Sequence, residues 1–305
     1  MLSKDLPLVS VVMNCYNSDK YLQEAIDSVY IQSYSNWEIV FWDNASTDNS
    51  GSIVKSYDER IKYYLAPETT PLGEARNLAL KEVSGQYIAF LDCDDVYLPD
   101  KLERQVKLME SKDYAMCYGS VVVIDENGGK IRQEPANYKS GYIFGNLLKR
   151  YEIIMSSAMI RCHILKENDL SFLHHLRYCP DHNFFMEIAS RFSVGVVPNY
   201  ILKYRIVSNS LSKKTLHLVS TEIQYTLDHI LGRKPEIRSK YPNSVKMAYS
   251  KLSYYDAINY ISQDNFKDAR KVLKIIRTER WQYMVLYFLL LLPISSSRIL
   301  RLLKR

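Results

Sequence analysis

Three carboxylates follow a short apolar run at Asp92, Asp94 and Asp95. Like charges at this spacing perturb one another's pKa values unless a cation lies among them. Ligand sets made only of oxygen favour a hard ion such as Mg²⁺ or Mn²⁺, which fills its remaining positions with water and substrate phosphates. The run therefore predicts a metal-dependent enzyme that acts on a phosphorylated substrate. Because acidic clusters are also common in solvated loops, the prediction depends on what lies nearby.

The segments around this run alternate between short apolar stretches and helical spacing. Strands are predicted at residues 8–13, 37–42, 61–65 and 87–91, with helices at 19–29 and 74–83 and a short one after Asp48. This β-α-β order predicts an α/β fold with a mainly parallel, doubly wound sheet. Ligands bind beyond the carboxyl ends of such strands. Polar residues follow three of those ends and are expected to share one crevice: residues 14–17, 43–48 and 92–95.

The second part of the chain continues the pattern less regularly. A helix is predicted from Lys101, a strand at 115–124, a hairpin turn at 125–129, a helix from about 178 to 190 and a strand at 194–197. After Lys213 the pattern is helical to the end. We therefore expect a catalytic domain at residues 1–213 and a helical region at 214–305.

Composition and missing motifs exclude several classes of protein. The 305 residues have a formal net charge of +6, which suits phosphates or anionic lipid and does not indicate a nucleic-acid partner. Five cysteines without a CxxC pair argue against a disulfide framework and a zinc site. The chain has neither GxGxxG after its first strand nor GxxxxGK[ST], so a Rossmann dehydrogenase and a P-loop NTPase are not expected.

Five motifs, in order, resemble family 2 glycosyltransferases, which have the GT-A fold. They are residues 7–17, residues 43–48, Gly73-Glu74-Ala75-Arg76-Asn77, the DXD-like Leu91-Asp92-Cys93-Asp94-Asp95, and Pro180-Asp181-His182. Tyr204-Arg205 with Ser210 resembles the segment that follows in the family. The resemblance covers roughly residues 7–210 and leaves the C-terminal third uncovered.

The resemblance implies a nucleotide-sugar donor, Mn²⁺ or Mg²⁺, and inversion at the anomeric carbon. Asp94 would be the principal metal ligand, assisted by Asp92, and Asp181 would be the catalytic base. Such a transfer needs one carboxylate to take the proton of the acceptor hydroxyl and a cation to neutralise the departing diphosphate. The implied donor-binding residues are Asn14, Tyr16, Asn17, Asp43, Asn44, Arg76, Asp92 and Cys93. Further acceptor or donor contacts are expected at His182, Tyr204 and Arg205.

The chain departs from the family pattern at two positions. Asn44 replaces an Asp that many members direct at the uracil N3–H, although an amide oxygen can also accept that bond. Pro180 replaces the Glu of the family's Glu-Asp pair, and Pro is well suited to a first helical turn. A QxxRW motif is absent, which favours transfer of one sugar over polymerisation. Asp48 is expected to cap the short helix.

The C-terminal tail contains an apolar run at residues 283–292, too short to span a bilayer. Basic residues precede and follow it, which predicts a monotopic anchor in an anionic membrane surface. A core helix and a dimer interface remain alternatives, and a homo-oligomer is left open. Because the N-terminus shows no signal-peptide pattern, we expect a peripheral protein on the cytoplasmic face of the membrane.

The sequence thus predicts an inverting hexosyltransferase that moves one sugar to a glycan or lipid-linked saccharide in cell-surface polysaccharide assembly. A sugar nucleotidyltransferase is an alternative, but it should have a Gly-rich, basic motif where Asn14-Cys15-Tyr16-Asn17 stands. A non-catalytic membrane-associated assembly protein is another. The presence of Asp92, Asp94 and Asp181 argues against that second alternative.

Overall fold

The computed structural model describes residues 6–208 and 216–303, which belong to two compact units. The first unit comprises Met1–Phe144 and Glu152–Lys213, and the second comprises Gly145–Tyr151 and Lys214–Arg305. The domain boundary predicted at residues 213 and 214, and Ser210, lie outside the described residues.

The first unit is built on one nine-stranded sheet with helices between the strands. Its strands are β1 (Val9–Cys15), β2 (Trp37–Asp43), β3 (Ile61–Leu65), β4 (Tyr87–Phe90), β5 (Val96–Tyr97), β6 (Met116–Ile124), β7 (Lys130–Glu134), β8 (Met159–Arg161) and β9 (Val194–Arg205). The strand order is β3-β2-β1-β4-β8-β6-β9-β5, and β7 pairs with β6.

Helices follow most of these strands. They are α1 (Asp19–Tyr30), α2 (Ser50–Val54), α3 (Leu72–Lys81), α4 (Lys101–Ser111), α6 (Cys162–Glu167) and α7 (Pro180–Arg191), with a 3-10 turn at Met155–Ser157. All but the first residue of α5 (Phe144–Lys149) belongs to the second unit. The α/β class predicted from the sequence is confirmed. The hairpin turn predicted at residues 125–129 is confirmed as well, since Asp125 N–H donates to the carbonyl of Gly129 at 2.8 Å.

The sheet is parallel in its first half and mixed in its second. Strands β1 to β4 pair in parallel because helices α1, α2 and α3 return the chain to the same edge each time. Beyond β4, the short strand β8 pairs antiparallel with both β4 and β6. The sequence did not predict β5 or β8, which have two and three residues and therefore too little periodicity to detect.

Strand β9 is longer than predicted. Pro198 ends the apolar run that predicted the strand, because proline cannot donate to a ladder. The structure accommodates Pro198 at an irregularity where β6 shifts register around Ser120. The strand then continues to Arg205, beside the acidic turn that follows β4. The core beneath these strands is made of buried aliphatic and aromatic side chains, among them Val11, Ile39 and Ala89.

The second unit is helical, as predicted. Besides α5, its helices are α8 (Val219–Arg233), α9 (Glu236–Lys240), α10 (Pro242–Ser262), α11 (Phe266–Ile276), α12 (Trp281–Leu289) and α13 (Ser296–Leu303). Side chains from α10 to α13 form a small core that includes Ile261, Leu273 and Leu286. Among the residues that the structure describes, no helix has both the length and the apolar character needed to cross a bilayer.

Candidate functional site

Three polar loops meet at one edge of the sheet because β1, β2 and β4 are parallel neighbours. Cys15 at the end of β1 lies opposite Asp43 at the end of β2. On the other side, Leu91 N–H donates to the carbonyl of Val12 at 3.0 Å, so the chain after β4 leaves beside the end of β1. The three segments predicted to share one crevice, residues 14–17, 43–48 and 92–95, therefore follow neighbouring strands at the same edge of the sheet.

The acidic turn comprises residues 92–95. Within the turn, Asp95 N–H donates to the carbonyl of Asp92 at 3.1 Å. A second hydrogen bond, from Asp92 N–H to Ser156 Oγ at 3.0 Å, joins the turn to the 3-10 turn at Met155–Ser157. Asp92 and Asp94 are partly exposed, whereas Asp95 is fully buried. Burial and the neighbouring charge of Asp92 raise the pKa of Asp94 to about 6. Burial, then the charges of Asp94 and Asp92, raise the pKa of Asp95 well above its usual range.

Arg205 ties the end of β9 to this turn. Its backbone N–H donates to Asp95 Oδ1, and its Nε donates to the carbonyl of Asp94, both at 2.9 Å. Its Nη2 donates to Glu24 Oε2 at 2.6 Å. The guanidinium lies 4.4 Å from the ring centroid of Tyr21 and is buried. These contacts of Arg205 hold the acidic turn in place, and its contact with a substrate stays a prediction.

Arg76 and Asp181 approach the same turn from two helices. Arg76, in the first half of α3, is buried, and its Nη2 lies 3.5 Å from Asp92 Oδ1. Its guanidinium lies 5.4 Å from the ring centroid of Phe172. Asp181, in the first turn of α7, is partly exposed. Burial raises the pKa of Asp181, the charge of Arg76 lowers it and that of Asp92 raises it, so the three groups interact electrostatically.

Two further predicted residues of this region lie close to the same charges. Burial raises the pKa of Tyr204, and the charges of the three turn carboxylates and of Asp181 raise it further. The Tyr204 side chain is only partly exposed. His182 follows Asp181 in α7 and is buried.

The loops after β1 and β2 are hydrogen-bonded to each other. Asn17 N–H donates to Ser46 Oγ at 3.1 Å, and Asn17 Oδ1 accepts from Thr47 N–H at 2.8 Å. Asn17 and Ala45 have φ values of 48° and 62°, in the left-handed region where Asn is tolerated and Ala is strained. Such strain persists only where surrounding contacts fix the backbone, and it is frequent at binding sites.

The side chains of Asp43 and Asn44 are both committed to neighbouring groups. Asp43 accepts from Ser46 N–H at 2.8 Å and from the Tyr63 hydroxyl at 2.7 Å. Asn44 donates through Nδ2 to the carbonyl of Thr70 at 2.8 Å and accepts at Oδ1 from Thr70 N–H at 3.2 Å. Thr70 Oγ1 also donates to Asn44 Oδ1, at 3.1 Å. In this arrangement the amide oxygen of Asn44 already has two donors.

The other predicted donor residues differ in exposure. Tyr16 is exposed by 52%, so its ring faces solvent at the mouth of the crevice. Cys93 is buried, and its thiol donates to the carbonyl of Asn14 at 3.4 Å. Asn14 Nδ2 is buried without a hydrogen-bond partner. An unpaired amide donor at the end of β1 is a group that a ligand could satisfy.

Asp48 is a capping residue, as predicted, and it serves two helices. Its Oδ1 accepts from Ser50 N–H in α2 and its Oδ2 accepts from Asp19 N–H in α1, both at 3.0 Å. Burial opposes its ionisation, but these hydrogen bonds outweigh that effect and lower its pKa.

Several residues that shape the site have no sequence signal of their own. Ser156, Thr70 and Phe172 lie in irregular segments, and each contacts a site residue that is distant in the chain. Glu24 occupies an exposed position on α1 that an amphipathic pattern assigns to solvent. Only the folded chain identifies them.

The protein groups at the turn fit a divalent cation that is shared with a ligand. Within residues 6–208 and 216–303, no group of three or more His, Cys, Asp or Glu side chains is arranged to hold a metal by itself. The partly exposed carboxylates of Asp92 and Asp94 suit Mg²⁺ or Mn²⁺, which bind one or two protein carboxylates and complete their shells with water and phosphate oxygens. Burial, and after it the charge of Asp92, raise the pKa of Asp94, and a cation bound between the two carboxylates would favour their ionised forms.

Residues 10–168 match the family model described as "Glycosyl transferase family 2". An uncharacterised glycosyltransferase of Methanocaldococcus jannaschii is 35% identical over 210 residues, which cover 66% of this chain and 72% of that protein. An uncharacterised glycosyltransferase of Rickettsia felis is 34% identical over 200 residues, or 65% of this chain and 33% of that protein. The chain thus spans about a third of the length of the R. felis relative.

One relative has a specific name. It is the UDP-Glc:alpha-D-GlcNAc-diphosphoundecaprenol beta-1,3-glucosyltransferase WfgD of Escherichia coli, 38% identical over 121 residues, which cover 39% of this chain and 48% of that protein.

Two solved structures share the fold. S. aureus TarS in complex with UDP-GlcNAc superposes with a TM-score of 0.61 and 17% identity, covering 89% of this chain and 92% of that chain. The mannosyltransferase PcManGT of Pyrobaculum calidifontis, in complex with GDP-Man and Mn²⁺, gives a TM-score of 0.62 and 17% identity, covering 89% and 75%.

Proposed function

The chain belongs to glycosyl transferase family 2, and we propose that it transfers one sugar from a nucleotide-diphosphate sugar to an acceptor hydroxyl with inversion. The observation that supports this most is the 3.5 Å pair of the buried Arg76 with Asp92, two residues whose charges also act on the pKa of Asp181. A separate carboxylate beside a cationic and a metal-binding group is what a displacement at an anomeric carbon requires, because base and leaving group occupy opposite sides of the reacting carbon.

In this proposal the acidic turn and Arg76 bind the donor diphosphate. Asp94 and Asp92 hold Mn²⁺ or Mg²⁺, which when bound neutralises the charge that gathers on the departing nucleoside diphosphate. Arg76 is buried and fixed between Asp92 and the Phe172 ring, so its guanidinium is preorganised for a phosphate or a sugar hydroxyl.

Asp181 acts as the general base. The acceptor oxygen attacks the anomeric carbon, its proton passes to the Asp181 carboxylate, and the bond from that carbon to the diphosphate oxygen breaks. A base of this kind works best when its pKa approaches the working pH, and burial raises the pKa of Asp181 in that direction.

The remaining predicted residues are assigned by their contacts. Arg205 is a positioning residue that fixes the acidic turn, and Tyr204 presents its partly exposed ring beside the same charges. Asn17 and Asp43 shape the nucleoside side of the crevice through the two hydrogen-bonded loops. Asn44 contributes to the same side through its hydrogen bond to Thr70. The remaining proposed donor contacts lie at or beside the end of β1 and are Asn14, Tyr16 and Cys93. His182, which follows the proposed base in α7, is assigned as a contact to the acceptor.

We propose a glycan or lipid-linked saccharide as the acceptor, in the assembly of a cell-surface polysaccharide. The E. coli relative is named for an acceptor sugar linked through diphosphate to undecaprenol, which supports this class. An acceptor of that kind lies in a membrane, so the enzyme would work as a peripheral protein at the cytoplasmic membrane face.

The test is the variant Asp181→Asn. Turnover, measured as nucleoside diphosphate released with a matching donor and acceptor, should fall on the order of a thousandfold. The increase in melting temperature on adding nucleotide-sugar and Mn²⁺ should be retained, because donor and metal contacts do not involve the lost carboxylate. Asp113→Asn, an exposed carboxylate elsewhere, is the matched control. Unchanged turnover in Asp181→Asn would overturn the assignment of the base.

A panel of nucleotide-sugars with and without Mn²⁺ identifies the donor. A true donor raises the melting temperature, and it should do so more strongly with the metal. If no nucleotide-sugar shifts the melting temperature under either condition, the proposed donor site is wrong.

A further inference from the structure

Helix α12 has two apolar faces, and only one of them is used by the core. Tyr283, Leu286 and Leu290 recur at helical spacing and are buried in the small core of the second unit. The opposite face is also apolar but lies open. Its side chains have exposed fractions of 68% for Trp281, 43% for Met284, 43% for Val285 and 55% for Phe288, followed by 53% for Leu291 and 54% for Leu292.

This exposed set, Trp281, Met284, Val285, Phe288, Leu291 and Leu292, is called the α12 face below. Large apolar side chains exposed singly are ordinary, but a contiguous set marks an interaction surface. Of the fifteen exposed large apolar residues among the described ones, eight fall within residues 275–302. Exposed apolar side chains are therefore concentrated in this segment of the second unit.

Positive charge lies beside the α12 face. Arg277, which immediately follows α11, lies 5.3 Å from the ring centroid of Tyr287. The Tyr287 ring is 5.6 Å from that of Phe288. Arg270, on α11, donates to the carbonyl of Leu290 at 3.3 Å. The same helix bears three exposed lysines at helical spacing, Lys267, Lys271 and Lys274. From residue 280 to the end of the chain every charged residue is basic.

A second group of cations lies at the beginning of α12. Arg280, which immediately precedes Trp281, donates through Nη2 to the carbonyl of Lys149 at 3.3 Å. Burial lowers the pKa of Lys251, and the charges of Arg280 and Arg150 lower it further, so three cationic side chains lie near one another. The first turn of α12 contains no acidic residue, so no carboxylate there compensates the positive end of the helix dipole.

We propose that the α12 face inserts into the interface of an anionic lipid bilayer, with Arg280 and the lysines of α11 contacting the lipid phosphates. Apolar side chains flanked by Lys and Arg, with a Trp at one end, are the arrangement that binds a membrane surface without spanning it. Each basic residue near an anionic surface adds attraction of its own.

A second copy of the chain is the main competitor for this surface. An isologous dimer through the α12 face would bring Arg270 and the lysines of α11 near those of the partner copy. Like charges placed close together across an interface disfavour association, whereas anionic phosphates compensate them. The charge pattern therefore favours lipid over self-association.

Vesicle flotation tests the inference with the whole chain. The protein should float with vesicles that contain phosphatidylglycerol and much less with phosphatidylcholine alone, and added salt should weaken the binding. Trp281→Ser combined with Phe288→Ser should reduce the partition coefficient on the order of tenfold or more, because two inserted aromatic side chains are lost. Ile131→Ser with Tyr142→Ser, which removes two exposed apolar side chains from the first unit, is the matched control and should bind like the parent.

A second set of variants tests how much the positive charge of the α11 lysines contributes to vesicle binding. Neutralising Lys267, Lys271 and Lys274 to Gln should weaken binding to anionic vesicles by roughly ten- to a hundredfold. Neutralising three exposed lysines of the first unit, Lys62, Lys107 and Lys130, should change it little. Equal flotation of both triple variants would overturn the role of the α11 lysines.

The outcome that overturns the inference as a whole is a parent protein that stays unbound with anionic vesicles. If it instead forms a dimer that Trp281→Ser with Phe288→Ser dissociates, the α12 face is a contact between copies. The inference does not depend on the proposed function, because donor-induced thermal shifts are measured without lipid and should be the same in all of these variants.

Discussion

Arg76 Nη2 lies 3.5 Å from Asp92 Oδ1, which joins the beginning of α3 to the turn after β4. The Arg76 side chain is almost fully buried, whereas that of Asp92 is 41% exposed. One partner of this pair is therefore fixed by the protein and the other is accessible to a ligand. At 3.5 Å this contact is longer than a hydrogen bond between charged groups, so the guanidinium has donors to offer a phosphate group.

Replacing Arg76 by Gln should weaken donor binding about ten- to a hundredfold, because a charge-assisted contact to the diphosphate is lost. The charge of Arg76 also lowers the pKa of Asp181, so its removal should raise that pKa and move the acid limb of the kcat/KM profile to higher pH. The pH profile and KM for the donor measure both effects. Arg104→Gln, which removes an exposed arginine paired with Asp100, should leave both unchanged.

If Asp94 is the metal ligand that we propose, its raised pKa should make metal binding sensitive to pH. Its pKa is raised to about 6, so protons compete with Mn²⁺ below that pH and the apparent metal affinity should fall. The Mn²⁺ dependence of the donor-induced thermal shift at pH 5 and pH 7.5 checks this. Asp94→Asn should abolish the dependence at both pH values. A metal effect that survives in Asp94→Asn would contradict the assignment of Asp94 as a ligand.

The Asp94 carboxylate should lower the free energy of unfolding when no metal is bound. A folded-state pKa raised above the unfolded one means that the folded state binds more protons, so Asp94 destabilises the protein above pH 6 and ceases to do so as the pH falls below about 4. Asp94→Asn should therefore raise the free energy of unfolding at pH 7.5 by about 1 kcal/mol, discounted for partial exposure. Urea unfolding of metal-free protein measures the difference.

Asp48 should stabilise α1 and α2 together. Asp48→Ala removes two acceptors for helical N–H groups and should lower the free energy of unfolding by about 1–2 kcal/mol. Because the folded-state pKa of Asp48 is lowered, its contribution is present above its ordinary pKa and is lost as the pH falls through the folded value. Asp48→Asn retains one acceptor oxygen and should lose less. Equal stability of Asp48→Ala and the parent at pH 7 would show that water replaces both caps.

Lys101 should make the core more stable as the pH rises. Its amine is buried, donates to Gln105 Oε1 at 2.6 Å and lies 4.0 Å from the ring centroid of Tyr97. Burial lowers its pKa to about 7, so between that pH and roughly 10 the unfolded state binds the extra proton. The free energy of unfolding should rise by up to about 1.4 kcal/mol per pH unit over this range.

Lys101→Met isolates this effect. Because the variant has no titrating amine at position 101, its free energy of unfolding should vary less between pH 7 and pH 9 than that of the parent. Lys107→Met, on an exposed position of the same helix, should keep the parental slope. Parallel slopes for the parent and Lys101→Met would mean that Lys101 is charged in both states throughout.

Local patterns predicted the strands that form the floor of the site because apolar periodicity is local information. The end of β4 and the acidic turn are examples, since one short run of residues specifies both. The contact partners of the site could not be predicted in this way. Asn44 and Thr70, or Asp92 and Ser156, are joined by hydrogen bonds between segments with no shared periodicity. The extension of β9 past Pro198 was missed because its irregularity depends on the neighbouring strand.

The guanidinium of Arg205 binds both the acidic turn and the hairpin turn at residues 125–129 through main-chain oxygens. It reaches the carbonyl of Asp94 at 2.9 Å, and those of Asp125 and Glu126 at 3.4 and 3.5 Å. A backbone carbonyl is the same whichever side chain is attached to it. Loss of the Asp94 carboxylate therefore leaves this contact of Arg205 in place, so a variant such as Asp94→Asn can lose the proposed metal ligand and still keep the shape of the acidic turn.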